Sequence, residues 1–426
     1  MFRTFFIILV EYFRVTGGPQ VYDFLTLDDI DVSGKTVFLR IDINSPLDPG
    51  SKRILDATRI QAIIPTVKSL KDAKLVLGAH QSRPGKYDFT NLESHAKVLQ
   101  MYLEHPVKYT EDIIGEEAQS SIKEMKNGEV LLLNNVRMRE EENIKAPVEE
   151  LQSTKFVKVM RQLVDVFVND AFPAAHRSQA SLVGLSLDCP MVAGRLMESE
   201  LNALNTVLVE PERPSLYILG GAKIEDRIPV IRRVLDDEIA DRILLGGLVA
   251  DSFQMAAGYM GKRYENLTEK DVQHVEDCRG LLEEYPDKIQ LPVDVAMDVK
   301  RERVEVFINS ITEEPTYDVG LNTLAQYCSE IKKGGTVVAE GPLGMFERRG
   351  FDIGTKEVLL CMARCRGYTV VGGGHMRAMT SLLGVSGEMS HVSTGGGAML
   401  SMLAGESLPV VESLEKSKHR FHETNL

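Results

Sequence analysis

The sequence predicts an α/β chain of two domains, each built on a parallel sheet flanked by helices and joined by a connector helix. Three observations predict this. At 426 residues the chain exceeds what one hydrophobic core comfortably supports. Short β-branched apolar runs alternate with helix-length segments throughout, the pattern of βαβ units. The two halves also end their strands differently, the first in cations and the second in glycine clusters. Residues just past each strand are the informative ones, because parallel α/β sheets bind ligands beyond the carboxyl ends of their strands.

In the first half, Val37-Phe38-Leu39 delivers Arg40, Asp42 and Asn44, and Leu75-Val76-Leu77 leads to His80 and Arg83. Val130–Leu133 leads to Asn135 and Arg137, and Val164–Val168 leads to Asn169, Asp170, His176 and Arg177. Arg59 opens a helical stretch, RIQAIIPTVKSL, that presents it near the same edge. A helix over Gly194–Val209 comes next, with Met197, Leu201, Leu204 and Leu208 on one apolar face and Pro211 and Pro214 behind it. The domain junction is expected there. The expected division is an extension at 1–20, a first domain at 21–193, the connector at 194–210, a second domain at 211–404 and a tail at 405–426.

In the second half, Leu216–Leu219 runs into Gly220-Gly221-Ala222-Lys223, and Ile243–Leu245 into Gly246-Gly247. Val337-Val338 leads to Gly341-Pro342-Leu343-Gly344, Val370-Val371 to Gly372-Gly373-Gly374, and His391–Thr394 to Gly395-Gly396-Gly397. Glycine lets backbone approach a ligand closely, and a helix N-terminus behind it favours anions.

The net charge of −13 argues against a general nucleic-acid binder, so any cationic site must be local. Five cysteines are few, and Cys361 and Cys365 fall in a helical run where free thiols are expected rather than a metal site or a disulfide. A reduced, cytoplasmic setting fits this usage. The opening MFRTFFIILV is apolar but interrupted at Glu11 with no small-residue cleavage site after it, so residues 1–20 read as an extension rather than a secretory signal. No later stretch reaches the ~20 apolar residues of a membrane span.

Arginine offers a planar fork that pairs bidentately with phosphate or carboxylate, so Arg40, Arg59, Arg83, Arg137 and Arg177 together suit a substrate with several negative oxygens. Any one of them alone reads equally well as a salt-bridge residue. His80 and His176 join them through H-x-x-R and H-R spacings. Asp42 and Asn44 suit a substrate hydroxyl and steer the arginines. Lys223 directly follows a glycine turn, where its ammonium reaches cradled phosphates. Gly34-Lys35-Thr36 is not a phosphate loop: Asp29 stands where the first glycine belongs, and a strand comes after it where a helix is required. The second half has no GxGxxG, which weakens a dehydrogenase reading.

At this point the residues resemble the phosphoglycerate kinase family. VFLRIDINSPLD, GAHQSRPG, LLLNNVRMREEE, FVNDAFPAAHRS, LGGAKIEDRI, LPVDVAMD, EGPLGMFE, FDIGTK and HVSTGGGAML look like its blocks, in family order, over residues 24 to 412. The resemblance implies a hinge-closing bilobal kinase of two Rossmann-like domains, whose C-terminal tail packs back on the first domain. It implies that Arg40, Asp42, Asn44, Arg59, His80, Arg83, Arg137, His176 and Arg177 bind 3-phosphoglycerate or 1,3-bisphosphoglycerate. The nucleotide would lie on Gly220, Gly221, Ala222, Lys223, Arg227, Gly246, Gly247, Leu321, Pro342, Glu347, Gly372, Gly373, Gly374, His375 and Met376. Arg59 and Lys223 would be catalytic, flanking the transferring group, with no general base required. ATP or ADP would be the co-substrate of a monomer, with no nucleic-acid or membrane partner.

Three positions depart from the family: Lys is common where Arg227 stands, Asn where Glu340 stands, and Asp-Thr where His375-Met376 stands. That Asp would help hold Mg²⁺, so with His375 the ion is expected mainly on nucleotide phosphates and water. The residues also leave open a kinase for another small acid or sugar, or a nucleotide-binding protein without turnover, the reading that Glu340 and His375 favour.

Overall fold

The structure is a computed structural model that describes residues 22–259, 267–310 and 315–421; the expected extension at 1–20 lies outside them. The chain divides into two compact units, Tyr22–Asn202 with the segment from Ser407 onward, and Ala203–Glu406.

The first unit holds a six-stranded parallel sheet of β1 (Thr36–Ile41), β2 (Lys74–Gly78), β3 (Val107–Tyr109), β4 (Val130–Leu132), β5 (Val166–Asp170) and β6 (Met191–Ala193), in the order β3-β4-β2-β1-β5-β6. Every residue of β1 and β5 is buried. Covering helices on both faces explain why these strands read as unbroken apolar runs rather than alternating ones. Phe38 of β1 packs edge-on to Phe156, centroids 5.8 Å apart, and against Phe167 at 5.7 Å. From β1 the chain winds to one side of the sheet and then returns past it to β5, so the topological switch lies between β1 and β5.

Arg59 lies in a short helix, Thr58–Ala62, followed directly by a second, Ile64–Ser69; Pro65 in the first turn of the second helix breaks the single stretch that periodicity predicts. The helix Arg195–Leu208 carries the chain from one unit into the other. Its first turn is capped from β5: Asp170 Oδ1 accepts from the backbone N–H groups of Leu196 and Met197 at 2.9 and 3.0 Å. Gly194 makes room for this carboxylate, since a Cβ there would sit 2.3 Å from Asp170 Oδ1. The final helix, Pro409–Phe421, lies on this same unit. Met191 N of β6 donates to Ser417 Oγ at 2.7 Å, and Lys418 pairs with Asp23.

The second unit holds another six-stranded parallel sheet: β7 (Ser215–Leu219), β8 (Arg242–Leu245), β9 (Ile289–Gln290), β13 (Thr336–Glu340), β14 (Tyr368–Gly372) and β15 (His391–Val392), ordered β15-β14-β13-β7-β8-β9. Its switch lies between β7 and β13. A separate three-stranded antiparallel sheet, absent from the sequence expectation, consists of β10 (Asp294–Val299), β11 (Glu302–Phe307) and β12 (Thr316–Val319) in the order β11-β10-β12. Its edge strand β11 is mostly half-exposed and mixes Arg303 and Glu305 with Val304 and Val306, so it lacks the apolar run that marks the other strands. The cysteine expectation also needs correction. Cys361 is disulfide-bonded to Cys328, their Cα atoms 5.7 Å apart across helices Leu321–Ile331 and Ile353–Met362. The partner lies 33 residues away, a distance no local spacing reveals. Cys365 is free.

Candidate active site

In the first unit the carboxyl ends of β1, β2, β4 and β5 bring the predicted cations together. Arg40 is fully buried. Its Nε donates to Ser181 Oγ at 2.8 Å, an Nη donates to the Ile41 carbonyl, and the other Nη lies 2.8 Å from His80 Nδ1. Arginine only donates, so His80 accepts through Nδ1 and carries its proton on Nε2. Burial, reinforced by the guanidiniums of Arg40, Arg137, Arg177 and Arg59, holds the pKa of His80 well below its ordinary value. His80 is therefore a neutral hydrogen-bond donor. Arg40 and His80 are both enclosed, at 0% and 2% exposure, on the central strand β1 and just past β2. The buried Glu142 carboxylate stands opposite this charge and accepts from Ser181 N and Oγ at 2.9 and 2.6 Å.

Around this core a chain of contacts links the remaining side chains. Arg59 Nη1 lies 2.5 Å from Asp42 Oδ2, while Asp42 Oδ1 accepts from Asn44 N at 2.9 Å. Asn44 Oδ1 accepts from Ser82 N at 2.8 Å, and Arg137 donates to the Ser82 carbonyl. Burial lowers the pKa of Arg177, Asp42 opposes this, and the charges of Arg59 and Arg83 lower it further. Arg137 is brought down to about 10 by burial first and then by Arg177 and Arg40. Arg177 thus interacts in charge with each of the other four arginines of this unit. Arg83 and His176 are exposed, and His176 Nε2 accepts from Arg177 Nε at 3.1 Å. Five guanidiniums against the carboxylates of Asp42 and Glu142 leave an excess of positive charge suited to a small polyanion.

In the second unit a cavity of about 600 Å³ opens at the switch between β7 and β13. Gly221, Ala222, Lys223, Arg227, Gly247, Pro342, Glu347, Gly373, Gly374, His375 and Met376 all line it. Gly220, Gly246 and Gly372 stand behind the wall instead. A Cβ on Gly220 would lie 2.4 Å from the Pro342 carbonyl oxygen, one on Gly246 2.2 Å from Leu343 Cδ2, and one on Gly372 2.6 Å from Met399 Sδ. These glycines let the loops pack on each other rather than on a ligand. Leu321 opens helix Leu321–Ile331, is 57% exposed and is not part of the lining.

Lys223 is exposed, with Asp226 Oδ2 4.0 Å from its ammonium. Arg227 is buried; its Nη2 pairs with Glu340 and its Nε donates to the Gly220 carbonyl at 3.2 Å. Sequence reasoning missed the aromatic wall. Phe346 lines the cavity with its ring centroid 4.7 Å from that of His375. Tyr317 lines it as well, with the Arg348 guanidinium 4.4 Å from its ring centroid. Phe346 sits beside the predicted Glu347 and was legible as an aromatic in a glycine loop; Tyr317, in an unpredicted antiparallel strand, carried no such signal. Asp318, also in the lining, accepts from Arg303 Nη1 at 2.8 Å and Gly354 N at 2.9 Å.

Among the described residues no three His, Cys, Asp or Glu side chains converge as a metal site, and no helix is long and apolar enough to cross a membrane. The cationic side chains at the glycine end of the cavity, Lys223 and Arg227, fit anionic phosphates rather than a metal ion itself.

The model of the phosphoglycerate kinase family matches residues 27–406. The phosphoglycerate kinase of Methanococcus maripaludis is 46% identical over 412 residues, covering 93% of this chain and all of that one. That of Methanobacterium bryantii is 44% identical over 400 residues, covering 93% and 98%. The crystal structure of phosphoglycerate kinase from Pyrococcus horikoshii OT3 matches with a TM-score of 0.85 and 41% identity, covering 93% of this chain and 100% of that one.

Proposed function

The chain belongs to the phosphoglycerate kinase family, and from that premise we propose which of its residues do the family's work. It is a phosphotransferase that reversibly moves a phosphoryl group between 1,3-bisphosphoglycerate and ADP, giving 3-phosphoglycerate and ATP, in glycolysis and gluconeogenesis. The observation that carries the residue assignment is the cluster of five arginines in one unit, with Arg177 close enough in charge to interact with Arg40, Arg59, Arg83 and Arg137.

Arg59, Arg83, Arg137 and Arg177 bind the phosphate and carboxylate oxygens of the triose acid. Arg40 acts from beneath, fixing the proton of His80 on Nε2, where it is available to a substrate oxygen. Asp42 and Asn44 orient Arg59 and the loop at Ser82. In the other unit Lys223 and Arg227 hold the nucleotide phosphates, and Phe346, His375 and Pro342 border the nucleoside, with Glu347 on the ribose. Phosphoryl transfer is mainly positioning and charge neutralisation. Arg59 and Lys223 supply that neutralisation as charge spreads over the equatorial oxygens. The reacting carboxylate or acyl phosphate needs no general base, since its oxygen is already unprotonated. No cluster of carboxylates among the described residues would hold magnesium, so the ion would depend on the nucleotide's phosphate oxygens and water and would supply further charge neutralisation there. We also propose a cytoplasmic monomer with no nucleic-acid or membrane partner, and the division at 194–210 as the joint between acid-binding and nucleotide-binding domains.

A coupled assay with ATP, Mg²⁺ and purified 3-phosphoglycerate tests the reading. Turnover with this acid and loss of turnover in Arg59→Ala and Lys223→Ala support it. ATP binding without turnover, or turnover only with another acceptor, overturns it.

A further inference from the structure

Glu340 ends β13, the strand beside the switch point, and its side chain is buried at 4% exposure within the cavity lining. A buried carboxylate where phosphates are to bind is electrostatically awkward unless something holds it. Arg227 does so: its Nη2 pairs with Glu340, while its Nε donates to the Gly220 carbonyl. The same guanidinium is hemmed in by glycine loops. Its Nη2 would lie 3.3 Å from a Cβ on Gly221 and 3.0 Å from one on Gly341. On the other side of Glu340, its Oε1 would lie 2.7 Å from a Cβ on Gly373. The pair therefore joins three of the loops that border the cavity.

We propose that Glu340 is a positioning residue for the nucleotide phosphates: it fixes the Arg227 guanidinium against the glycine loops and must share it with them, which links nucleotide binding to proton uptake at Glu340. This rests on the cavity being the nucleotide site. When Glu340 is ionised, it neutralises Arg227. When it is protonated, the guanidinium charge is available to phosphate while the carboxyl still fills the same space. Burial raises the pKa of Glu340 to about 7, against the charge of Arg227, with Asp226 adding to the rise. An incoming phosphate, also negative, raises it further. The other titratable groups of the lining are Lys223, Asp251, Tyr317, Asp318, Glu347 and His375. Of these, Asp318 is tied to Arg303, and Asp251 accepts from Thr316 Oγ1 at 2.8 and 2.7 Å.

The sign comes from linkage. A group that takes up a proton on binding makes affinity fall as pH rises through its free-state value. If bound nucleotide raises the Glu340 pKa by one unit, affinity for ADP falls by roughly fivefold between pH 6 and pH 8. ADP itself titrates, so the readout is the difference between wild type and Glu340→Gln. The glutamine keeps an oxygen for Arg227 but cannot ionise. ADP affinity of the full chain is measured by calorimetry from pH 6 to 8, in two buffers of different ionisation enthalpy.

The expected result is equal affinity at pH 6, tighter binding by Glu340→Gln at pH 8, and proton uptake in wild type that the variant lacks. Glu340→Ala, which also frees Arg227 from its position, is expected to weaken ADP at every pH. A merely structural role would weaken Glu340→Gln uniformly, without changing the pH profile, and that outcome overturns the inference. Lys223→Ala is the control for the site: if it leaves ADP affinity unchanged, the cavity is not the phosphate site and the inference falls with it. If Lys223→Ala weakens ADP while wild type and Glu340→Gln share one pH profile, only the role of Glu340 falls.

Discussion

The ring of Phe346 lies against the ring of His375, centroids 4.7 Å apart and planes inclined by 52°. Phe346 comes from the loop after β13 and His375 from the first turn of helix Gly374–Leu382, so the contact couples two edges of the cavity proposed for the nucleotide. An aromatic contact of this kind is worth about 0.5–1.5 kcal/mol. Phe346→Ala is therefore expected to raise the KM for ADP and ATP by about 2- to 12-fold with kcat little changed. Steady-state kinetics on both nucleotides check this, and an unmoved KM would take the aromatic wall out of nucleotide binding.

Arg59 is half-buried, ion-paired to Asp42 and close enough in charge to shift Arg177. Its pairing is local, so removing it leaves the core intact. Arg59→Ala is expected to lower kcat by ~10²–10³, the loss typical of one transition-state cation. Circular dichroism and the unfolding midpoint are expected to stay at wild-type values. A variant with wild-type kcat would show that Arg59 has no part in the chemistry.

His95 is fully buried on helix Glu93–Leu103, its Nε2 3.0 Å from Gln81 Oε1. Burial lowers its pKa to about 4, from an ordinary value of 6.5. In the window between these values the unfolded chain binds a proton that the folded chain does not. Stability therefore falls as pH drops from about 6.5 to 4, by at most roughly 3 kcal/mol from this residue. Urea unfolding of wild type and His95→Gln at pH 7 and pH 5 checks it: the variant is expected to lose less on acidification. Parallel losses in both proteins would assign the acid sensitivity elsewhere.

The Cys328–Cys361 bond closes a loop of 33 residues within the second unit. Cross-links of this size typically contribute about 2–4 kcal/mol, largely by restricting the unfolded chain. Cys328→Ser, or reductant on wild type, is expected to lower the urea midpoint of that unit. The Cys328→Ser protein should show no further response to reductant. Identical midpoints with and without reductant would mean that the bond does not form in solution.

Much of the fold was legible. The strands β1, β2, β4, β5, β7, β8, β13 and β14 announce themselves as apolar runs because both faces of a parallel sheet are covered. The short strands β3, β6 and β9 and the antiparallel β10–β12 did not. Two or three residues make no period, and the half-exposed β11 mixes charge with apolar residues. The connector helix was legible from its one apolar face, but its cap, Asp170, was not. That carboxylate reaches the helix from the end of β5, across a gap of 26 residues. The candidate site divides in the same way. The cations and glycines were visible as residue types just past the strands. The pairing of Arg227 with Glu340, the tilted contact of His375 with Phe346 and the withdrawal of Arg40 into the core were not.

The sequence by itself determined which residues end the strands, and hence the kinds of chemistry available at each sheet edge: guanidinium in one half, bare backbone and Lys223 in the other. Those are local properties, written in the order of residues along one strand and the turn after it. Tertiary structure decided which strand ends become neighbours, through the orders β3-β4-β2-β1-β5-β6 and β15-β14-β13-β7-β8-β9. It also decided which charges are buried, because burial depends on what packs from elsewhere in the chain. The same guanidinium is thus fully enclosed at Arg40 and half-buried at Arg59, a distinction set by place in the fold and not by residue type.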